Sequence, residues 1–322
     1  MSQLRAPVLD PKSDAGRLAL RLGILAAWVG LAAAAPVIAD EAVQRNFATA
    51  QQAADALVSA VRNNDHSETV RILGADGDKL VRSGDEVADH EGRVRFLKAY
   101  DAAHRIDVER GTTAMLIVGS EHWPVPIPIV KQDGRWHFDT VASAQKIIDR
   151  RVGRNELNVI EVCRAYVSAQ REYASADRLG TGVHEYARRF HSIEGQHDGL
   201  YWDAAAGEEQ SPLGPLIASA QAEGYEGEQH TLYRTPYHGY YYRILTQQGA
   251  HAPGGAKDYV VNGYMTGGFA LVAFPARWGD SGIMTFIVSK DGIVFQKNLG
   301  PDTELLAREI NEFDPDSTWS TP

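Results

Sequence analysis

The most unusual chemistry in the sequence is an aromatic cluster within the segment Tyr233–Tyr242. Alternate side chains of a strand face opposite sides of a sheet, so Tyr240 and Tyr242 would share one side and Tyr241 the other. Rings on the solvent side suit contact with an envelope protein or a glycan, whereas rings on the inner side would fill a sheet core. Both interpretations stay open. The predicted binding residues are Tyr237, His238, Tyr240, Tyr241 and Trp202.

A serine between glycines imitates a hydrolase motif. Gly279–Gly282 reads Gly-Asp-Ser-Gly, and His104 follows two alanines upstream, as in trypsin-like serine proteases. However, Ile283 stands where a second glycine would let the backbone form an oxyanion hole, and Arg105 stands where that histidine motif has a cysteine. A triad is defined by geometry, and His104 is predicted to lie on a helix. We therefore favour a glycine-rich turn and predict no catalytic residue.

Metal binding has two further candidates. His184, His191 and His197 are spaced by seven and six residues, which fits neither a zinc-binding helix nor a Cys/His framework. The turn at 177–182 could bind calcium, but Asp177 is its only carboxylate. Loop histidines and an ordinary turn are the simpler interpretations, so we predict no metal and no cofactor.

The N-terminal half offers acids for general acid–base chemistry. These are Asp55, Asp85, Asp101 and Asp139, accompanied by Tyr100 and His104. No spacing singles out a pair, and acids on amphipathic helices usually form the solvated face. An enzyme of the hydrolase or isomerase type, with its pocket in residues 47–138, is therefore the alternative to a non-enzymatic protein.

The elements that would position these residues begin with helices and continue with strands. Apolar spacing predicts helices over 47–73, interrupted at Asn63-Asn64-Asp65, and over Glu91–His104. The predicted strands are Thr113–Val118, Val125–Val130 and Arg135–Phe138, with a hairpin at Asp133-Gly134. This order predicts an α+β domain over residues 46–148 with a curved antiparallel sheet.

The second half repeats this order. A long helix is predicted over Asn155–Ser175 and a short one over Leu213–Ala220. The predicted strands are Tyr240–Thr246, Gly268–Phe274, Ile283–Val288 and Ile293–Lys297, followed by a helix over Thr303–Asn311. We predict a second α+β domain over residues 153–312, built of a long helix and an antiparallel meander, and then a polar tail over 313–322.

The N-terminus is typical of a secretory signal peptide. Arg17 and Arg21 precede an apolar run from Leu22 to Ala35, and Ala39 is followed by Asp40-Glu41. The run is shorter than the roughly twenty residues of a membrane-spanning helix, although an uncleaved anchor stays the alternative. We predict cleavage after Ala39, residence in the periplasm, and no membrane span after cleavage. The absence of cysteine near the cut argues against a lipoprotein.

Charge and cysteine content exclude several classes of partner. The chain has 32 Lys and Arg against 42 Asp and Glu; residues 1–39 hold four of the former and two of the latter, so the processed chain would carry −12. Nucleic acid and anionic lipid surfaces reward dense positive charge, so neither is predicted as a partner. Cys163 is the only cysteine, which excludes an intramolecular disulfide, and its apolar neighbours predict a buried thiol.

Several longer motifs resemble one bacterial family, the domain of unknown function 2950. The motifs are Gly153–Leu157 (GRNEL), Cys163–Tyr166 (CRAY), Gln170–Tyr173 (QREY), Asp198–Trp202 (DGLYW), Ser211–Pro215 (SPLGP), Tyr237–Tyr241 (YHGYY), Ala252–Ala256 (APGGA) and Gly267–Leu271 (GGFAL). The resemblance covers nearly all of the processed chain and implies an exported bacterial protein. It implies no activity and therefore supplies no catalytic residue.

Two resemblances concern architecture. The part from Asn155 onward is similar to the globular head of type IV pilin-like proteins, although its helix is internal, which argues against a polymerising pilin. Residues 47–138 look like the cystatin/nuclear-transport-factor-like cone. Since fold does not give function, the sequence predicts an exported envelope protein, most simply a non-enzymatic binding module, and leaves ligand and oligomeric state open.

Overall fold

The computed structural model describes residues 44–74, 76–205, 207–225 and 235–322. Helices and antiparallel sheets are both substantial, so the fold class is α+β, as predicted. The predicted signal segment with its cut after Ala39, and Tyr233 of the aromatic cluster, lie outside the described residues. None of the helices in these ranges is long and apolar enough to cross a membrane.

The helices are α1 (Ala50–Arg62), α2 (His66–Leu73), α3 (Gly77–Val81), α4 (Glu86–Ala102), α5 (Val141–Tyr173), α6 (Gly214–Ala222) and α7 (Thr303–Glu309). The strands are β1 (His104–Glu109), β2 (Thr113–Val118), β3 (Trp123–Pro124), β4 (Ile129–Gln132), β5 (Arg135–Phe138), β6 (Tyr240–Leu245), β7 (Gln247–Gln248), β8 (Lys257–Asp258), β9 (Val260–Val261), β10 (Tyr264–Met265), β11 (Ala270–Pro275), β12 (Met284–Ser289) and β13 (Val294–Asn298).

Side-chain caps fix where the first helices begin. The Thr49 hydroxyl accepts the N–H of Gln52 ahead of α1, and the Asp65 carboxylate accepts the N–H of Glu68 ahead of α2, because these early N–H groups lack helical partners. The predicted interruption at residues 63–65 is thereby confirmed. Asp85 does the same for α4, so this helix begins five residues before the predicted start at Glu91.

The N-terminal sheet has the strand order β1-β2-β4-β5, with β3 paired to β2. Asp133 and Gly134 both have positive φ (50° and 80°), which confirms the predicted tight hairpin between β4 and β5. Strand β1 was not predicted. Its first residue is His104, so the predicted helix over Glu91–His104 is too long at its C-terminal end.

The C-terminal sheet is an antiparallel meander in the order β13-β12-β11-β6. Every residue of β11 is buried, because helix α5 packs against β12 and helix α7 against β11. The predicted strands are confirmed to within two residues at each end. The predicted helix near Leu213 is α6.

Helix α5 connects the two halves of the described chain. It runs without interruption from Val141 to Tyr173, beginning fourteen residues before the predicted start at Asn155. Near its N-terminal end Ile147 packs against a core that extends from Phe47 to Phe138; its C-terminal part supplies the core that extends from Val159 to Phe313. The predicted boundary between residues 148 and 153 thus falls inside one helix, and the two-domain division stays a prediction.

Candidate functional site

The predicted aromatic residues lie mostly inside the protein. Tyr240 and Tyr242 are 0% exposed, whereas Tyr241 is only half-buried against Phe274. The predicted alternation along β6 is therefore confirmed, with the inner face filling the core. Burial raises the pKa of the Tyr241 hydroxyl as well as those of its neighbours.

Tyr237, His238 and Trp202 are already packed against other rings or cations. The ring of Tyr237 lies 4.9 Å from that of Tyr225 and 4.0 Å from that of His238. Trp202 stacks on His197 at 4.2 Å, with the Arg178 guanidinium 5.4 Å from its ring. These contacts occupy surfaces that a ligand would otherwise use. Binding at the five predicted residues stays a prediction.

Ser281 has a structural role in its turn. Its hydroxyl is buried, accepts the N–H of Arg277 (3.0 Å) and donates to the carbonyl of the same residue (3.1 Å). The Asn155 side chain also donates to the Ser281 carbonyl (2.9 Å). The predicted glycine-rich turn is confirmed, since the hydroxyl is already committed to the backbone of its own loop.

The metal candidates are not brought together. Within the described ranges no group of three His, Cys, Asp or Glu side chains could hold a metal ion. Asp177 accepts the N–H groups of Thr181 and Gly182, and these hydrogen bonds lower the pKa of its carboxyl. The Asp177 carboxylate is thus occupied by backbone N–H groups of its own turn.

Two of the predicted acids stay on the surface of the N-terminal half. Tyr100 donates to Asp55 (3.3 Å) and stacks on His104 (3.7 Å), while Asp101 pairs with Arg62. Burial and then Asp55 raise the pKa of Tyr100. Asp55, Asp101 and His104 are exposed, so this cluster does not form a closed catalytic pocket.

Asp85 behaves differently, because its carboxylate is almost completely buried (1% exposed). Its Oδ2 accepts the Tyr225 hydroxyl (2.7 Å) and the Gly239 N–H (2.9 Å), while Oδ1 accepts the Ala88 N–H at the start of α4 (3.0 Å). Three donors and the positive end of the helix compensate the buried charge. These hydrogen bonds join the N-terminal half to Tyr225 and Gly239, which follow Asp85 by 140 and 154 residues.

Beside Asp85 lies an open cavity of about 690 Å³, which we call the junction cavity. Helices α1 to α5 and the segment at residues 125–127 surround it, together with Glu223, Tyr225 and His238. Most of its lining belongs to residues 47–138, the range in which the sequence predicted an enzymatic pocket, and α5 with residues 222–225 and 238 supplies the rest.

The floor of the junction cavity is apolar and incompletely covered. Leu57 and Ile127 belong to the N-terminal core, and a further ring of apolar side chains is only half-buried. This ring consists of Val61, Leu80, Val81, Phe96 and Ile147. Half-buried apolar groups around a concavity provide a surface on which an apolar ligand would displace water.

Polar side chains form the wall contributed by α5. Arg151, Arg154, Asn155 and Asn158 all line the cavity. Their spacing of three or four residues places them on one face of the helix. On α4 the same spacing brings Asp89, Arg93 and Phe96 to the cavity.

The two most buried charged side chains of the cavity, Arg151 on α5 and Asp89 on α4, already form hydrogen bonds with the backbone. Arg151 donates to the carbonyls of Lys79 (2.9 Å) and Leu80 (2.6 Å), and burial lowers its pKa. Asp89 accepts the Ser83 N–H (2.9 Å), and burial raises the pKa of its carboxyl despite that hydrogen bond. By contrast, Arg154 is exposed, and no hydrogen bond or ion pair engages its guanidinium within the described part of the chain.

His238 completes the wall near the aromatic cluster. Its Nε2 lies 3.6 Å from a carboxylate oxygen of Glu223. Burial nevertheless lowers the pKa of His238, although Glu223 and Asp85 act in the opposite direction. The imidazole is therefore neutral at pH 7, where a histidine of ordinary pKa is also mostly neutral.

Comparison with known proteins decides the family. A family model described as "Protein of unknown function (DUF2950)" matches residues 44–321. The chain belongs to this family. No curated protein and no solved structure matches the chain. The predicted DUF2950 resemblance is thus confirmed, whereas the pilin-like and cystatin-like resemblances stay predictions.

This DUF2950 chain has a second cavity, of about 760 Å³, which we call the aromatic cavity. Its lining includes Trp202 and Tyr237, together with His191, His197 and Tyr201. The Tyr201 hydroxyl is bound to Asp203 (2.7 Å), and its ring lies edge-on to His191. Because these rings pack on one another, the aromatic cavity offers less free apolar surface than its composition implies.

Sequence reasoning placed a possible pocket within residues 47–138 but did not identify the residues from α5 and from 222–238 that complete the junction cavity. Asp85 was predicted only as one of four candidate acids, and Arg154 only as part of a family motif and of the polar side of the long helix. One signal was available: Arg151, Arg154 and Asn158 recur at helical spacing and form a polar stripe on one face of α5. The α4 residues that face this stripe across the cavity lie more than fifty residues away in the sequence, so spacing could not reveal them.

Proposed function

We propose that this protein is an exported bacterial envelope protein that binds a small ligand in the junction cavity without transforming it. The observation that carries the proposal is the half-buried apolar ring of Val61, Leu80, Val81, Phe96 and Ile147 around about 690 Å³ of open space. Cavities that bind small ligands commonly measure about 300–1,000 Å³ and combine apolar walls with a few polar groups.

The free energy gained by burying apolar surface determines how long an alkyl chain the ligand needs. Transfer of each CH₂ group from water contributes about 0.8 kcal/mol, so an eight-carbon chain gains roughly 6 kcal/mol on burial. Association itself costs at least about 4 kcal/mol. The net gain is at most about 2 kcal/mol, so an alkyl chain of that length binds only weakly by itself and polar contacts must supply the rest of the affinity.

Binding is favoured over catalysis because Asp89 and His238, the candidate acid and base of the cavity, already have partners. Asp89 is held by the Ser83 N–H, and His238 lies beside Glu223. No hydrogen bond joins Asp89 to His238 among the described residues. A general acid–base pair would need both groups directed at one reacting atom.

One observation nevertheless favours an enzyme of the hydrolase or isomerase type as second candidate. Asp89 and His238 line the same cavity, and burial shifts the pKa of each toward its neutral form. Hydrolysis of p-nitrophenyl octanoate separates the two candidates. The binding proposal expects no turnover above that of buffer, whereas turnover that disappears in Asp89→Asn would support the enzyme.

A cavity-filling variant tests the proposed site. Gly92 lines the junction cavity within α4, and a Cβ at this position would meet nothing within 4 Å. Gly153 on α5 is equally open but lies outside the cavity lining, which makes it a matched control. We expect 1-octanol to raise the melting temperature of the wild type and of Gly153→Trp, and to leave that of Gly92→Trp unchanged. An equal rise in all three proteins would contradict the proposal.

Export is supported by the sequence alone, through Arg17, Arg21, the apolar run to Ala35 and the small residue Ala39. Production in a Gram-negative host followed by N-terminal sequencing tests it. We expect periplasmic protein that begins at Asp40. Protein that keeps residues 1–39 and fractionates with membranes would favour the uncleaved anchor instead.

A further inference from the structure

We infer that the ligand of the junction cavity carries an anionic head group, a carboxylate or a phosphate monoester, which Arg154 binds while the apolar part lies against the cavity floor. This inference rests on the proposed function. It adds the charge of the ligand and the residue that recognises it.

Arg154 is the cation best placed for this task. It lines the cavity from α5, is exposed, and has no hydrogen-bond or ion-pair partner within the described ranges. A guanidinium has a planar fork of donors that matches a carboxylate or phosphate oxygen pair. A free fork next to an apolar floor is the arrangement that an amphipathic anion requires.

The neighbouring arginines show why Arg154 is singled out. Arg151 is satisfied by the carbonyls of Lys79 and Leu80. Arg277, on the other side of this junction, pairs with Asp280 and donates to the Arg82 carbonyl. Both therefore hold the fold together, whereas Arg154 contributes no contact of this kind.

Other hydrogen-bond donors line the cavity together with Arg154. Arg93 and Arg95 on α4 also line the cavity, and neither has a carboxylate within ion-pair distance in the described chain. Asn158 follows Arg154 by four residues and presents an amide on the same face of α5. These groups would donate hydrogen bonds to the remaining oxygens of a head group.

The carboxylates that face the same cavity do not cancel this positive charge. They belong to Asp89, Glu91 and Glu223, against four arginines, and His238 is neutral at pH 7. The whole chain has the opposite balance, with 42 acidic against 32 basic residues. The excess of arginine at the cavity is thus a local reversal, while the negative surroundings disfavour large polyanions.

Four eight-carbon probes that differ in their head groups test the inference at pH 7.5. They are octanoate, octyl phosphate, 1-octanol and octylamine, titrated calorimetrically into wild type, Arg154→Gln and Arg150→Gln. Arg150 is the matched control, because it is an exposed arginine of α5 outside the cavity lining. We expect at least one of the two anions to bind wild type about five- to tenfold more tightly than octanol, since a charge-assisted hydrogen bond is stronger than a neutral one.

In Arg154→Gln the preference for the anion should disappear while octanol affinity stays within about twofold, and Arg150→Gln should behave like wild type. The comparison of octanoate with octyl phosphate identifies the head group. If octanol binds as tightly as both anions, or octylamine binds best, the charge assignment is wrong and the cavity remains a ligand site. If no probe binds to any of the proteins, the proposed function fails as well.

Discussion

At the scale of single residues, the contact between the two halves centres on a buried carboxylate that sequence spacing could not place. Asp85 precedes α4 as a capping residue, a role that a helix starting at Glu86 would have predicted. Its other partners, Tyr225 and Gly239, come from the distant half of the chain. Gly239 has φ of 76°, and a Cβ there would lie 2.6 Å from the Asn155 amide nitrogen, so only glycine lets this N–H reach Asp85.

Substitution of Asp85 should therefore destabilise the protein more than substitution of its partner hydroxyl. Asp85→Asn loses charge-assisted hydrogen bonds and places an amide against the Gly239 N–H, so we expect the free energy of unfolding to fall by about 1.5–3 kcal/mol. Tyr225→Phe removes one hydrogen bond and should cost about 1 kcal/mol. Urea denaturation of the two single variants and the double variant measures both values. Losses below about 0.5 kcal/mol for Asp85→Asn would show that this contact does not hold the halves together.

The predicted burial of Cys163 is confirmed. Cys163 was expected to be buried, and it is 1% exposed. Burial raises the pKa of its thiol to about 12, so the thiolate is not populated near neutral pH. Apolar neighbours at helical spacing were sufficient for this prediction, because it depends on one helix face and not on distant contacts.

At the scale of elements, strands were predicted more accurately than the long helix. Alternating and β-branched runs located β2, β5, β6, β11, β12 and β13, since these patterns are local. The sequence predicts that helix α5 begins at Asn155, just after Gly153, but the helix begins at Val141. Glycine inside a helix costs about 1 kcal/mol relative to alanine. Burial of Ala144, Ile148 and Val152, each four residues apart, offsets that cost through packing that the sequence does not display.

Helix α4 offers a direct test at this scale. Gly92 lies in its interior, and a Cβ added there would meet nothing within 4 Å. Gly92→Ala should therefore stabilise the protein by about 0.5–1 kcal/mol, because alanine loses less backbone entropy in a helix. Thermal or urea unfolding measures the change, and Gly153→Ala on α5 should give a similar gain. A loss of stability in Gly92→Ala would mean that α4 does not continue through this position.

At the scale of the whole molecule, two partly buried histidines should make the free energy of unfolding depend on pH. Burial lowers the pKa of both His191 and His238, so at pH values just below 6.5 the unfolded chain binds more protons than the folded one. Their contribution is present above the unfolded pKa of about 6.5 and is lost as the pH falls toward the folded value. His251 acts in the opposite direction, because its hydrogen bond to Asp314 raises its pKa, but it is exposed and contributes less.

We therefore expect the free energy of unfolding to decrease between about pH 7.5 and pH 5.5. His238→Asn should reduce this decrease, since asparagine does not titrate and tolerates the positive φ of 52° at this position. Urea denaturation at several pH values provides the measurement. Stability that rises as the pH falls over this interval would contradict the pKa directions of both histidines.

The site follows from the same whole-molecule arrangement. No single segment contains the junction cavity, because its floor comes from α1 to α4 and its wall of Arg151, Arg154 and Asn158 from α5. The sequence could predict the polar stripe and the apolar faces separately. It could not show that they meet, since the contact depends on α5 extending across both halves.

A crystal structure of the purified protein with octanoate would show where the ligand binds. We expect the alkyl chain in the junction cavity against Phe96 and Ile147, with the carboxylate within hydrogen-bonding distance of the Arg154 guanidinium. Octanoate bound in the aromatic cavity beside Tyr237 and Trp202, with the junction cavity filled only by water, would contradict this expectation.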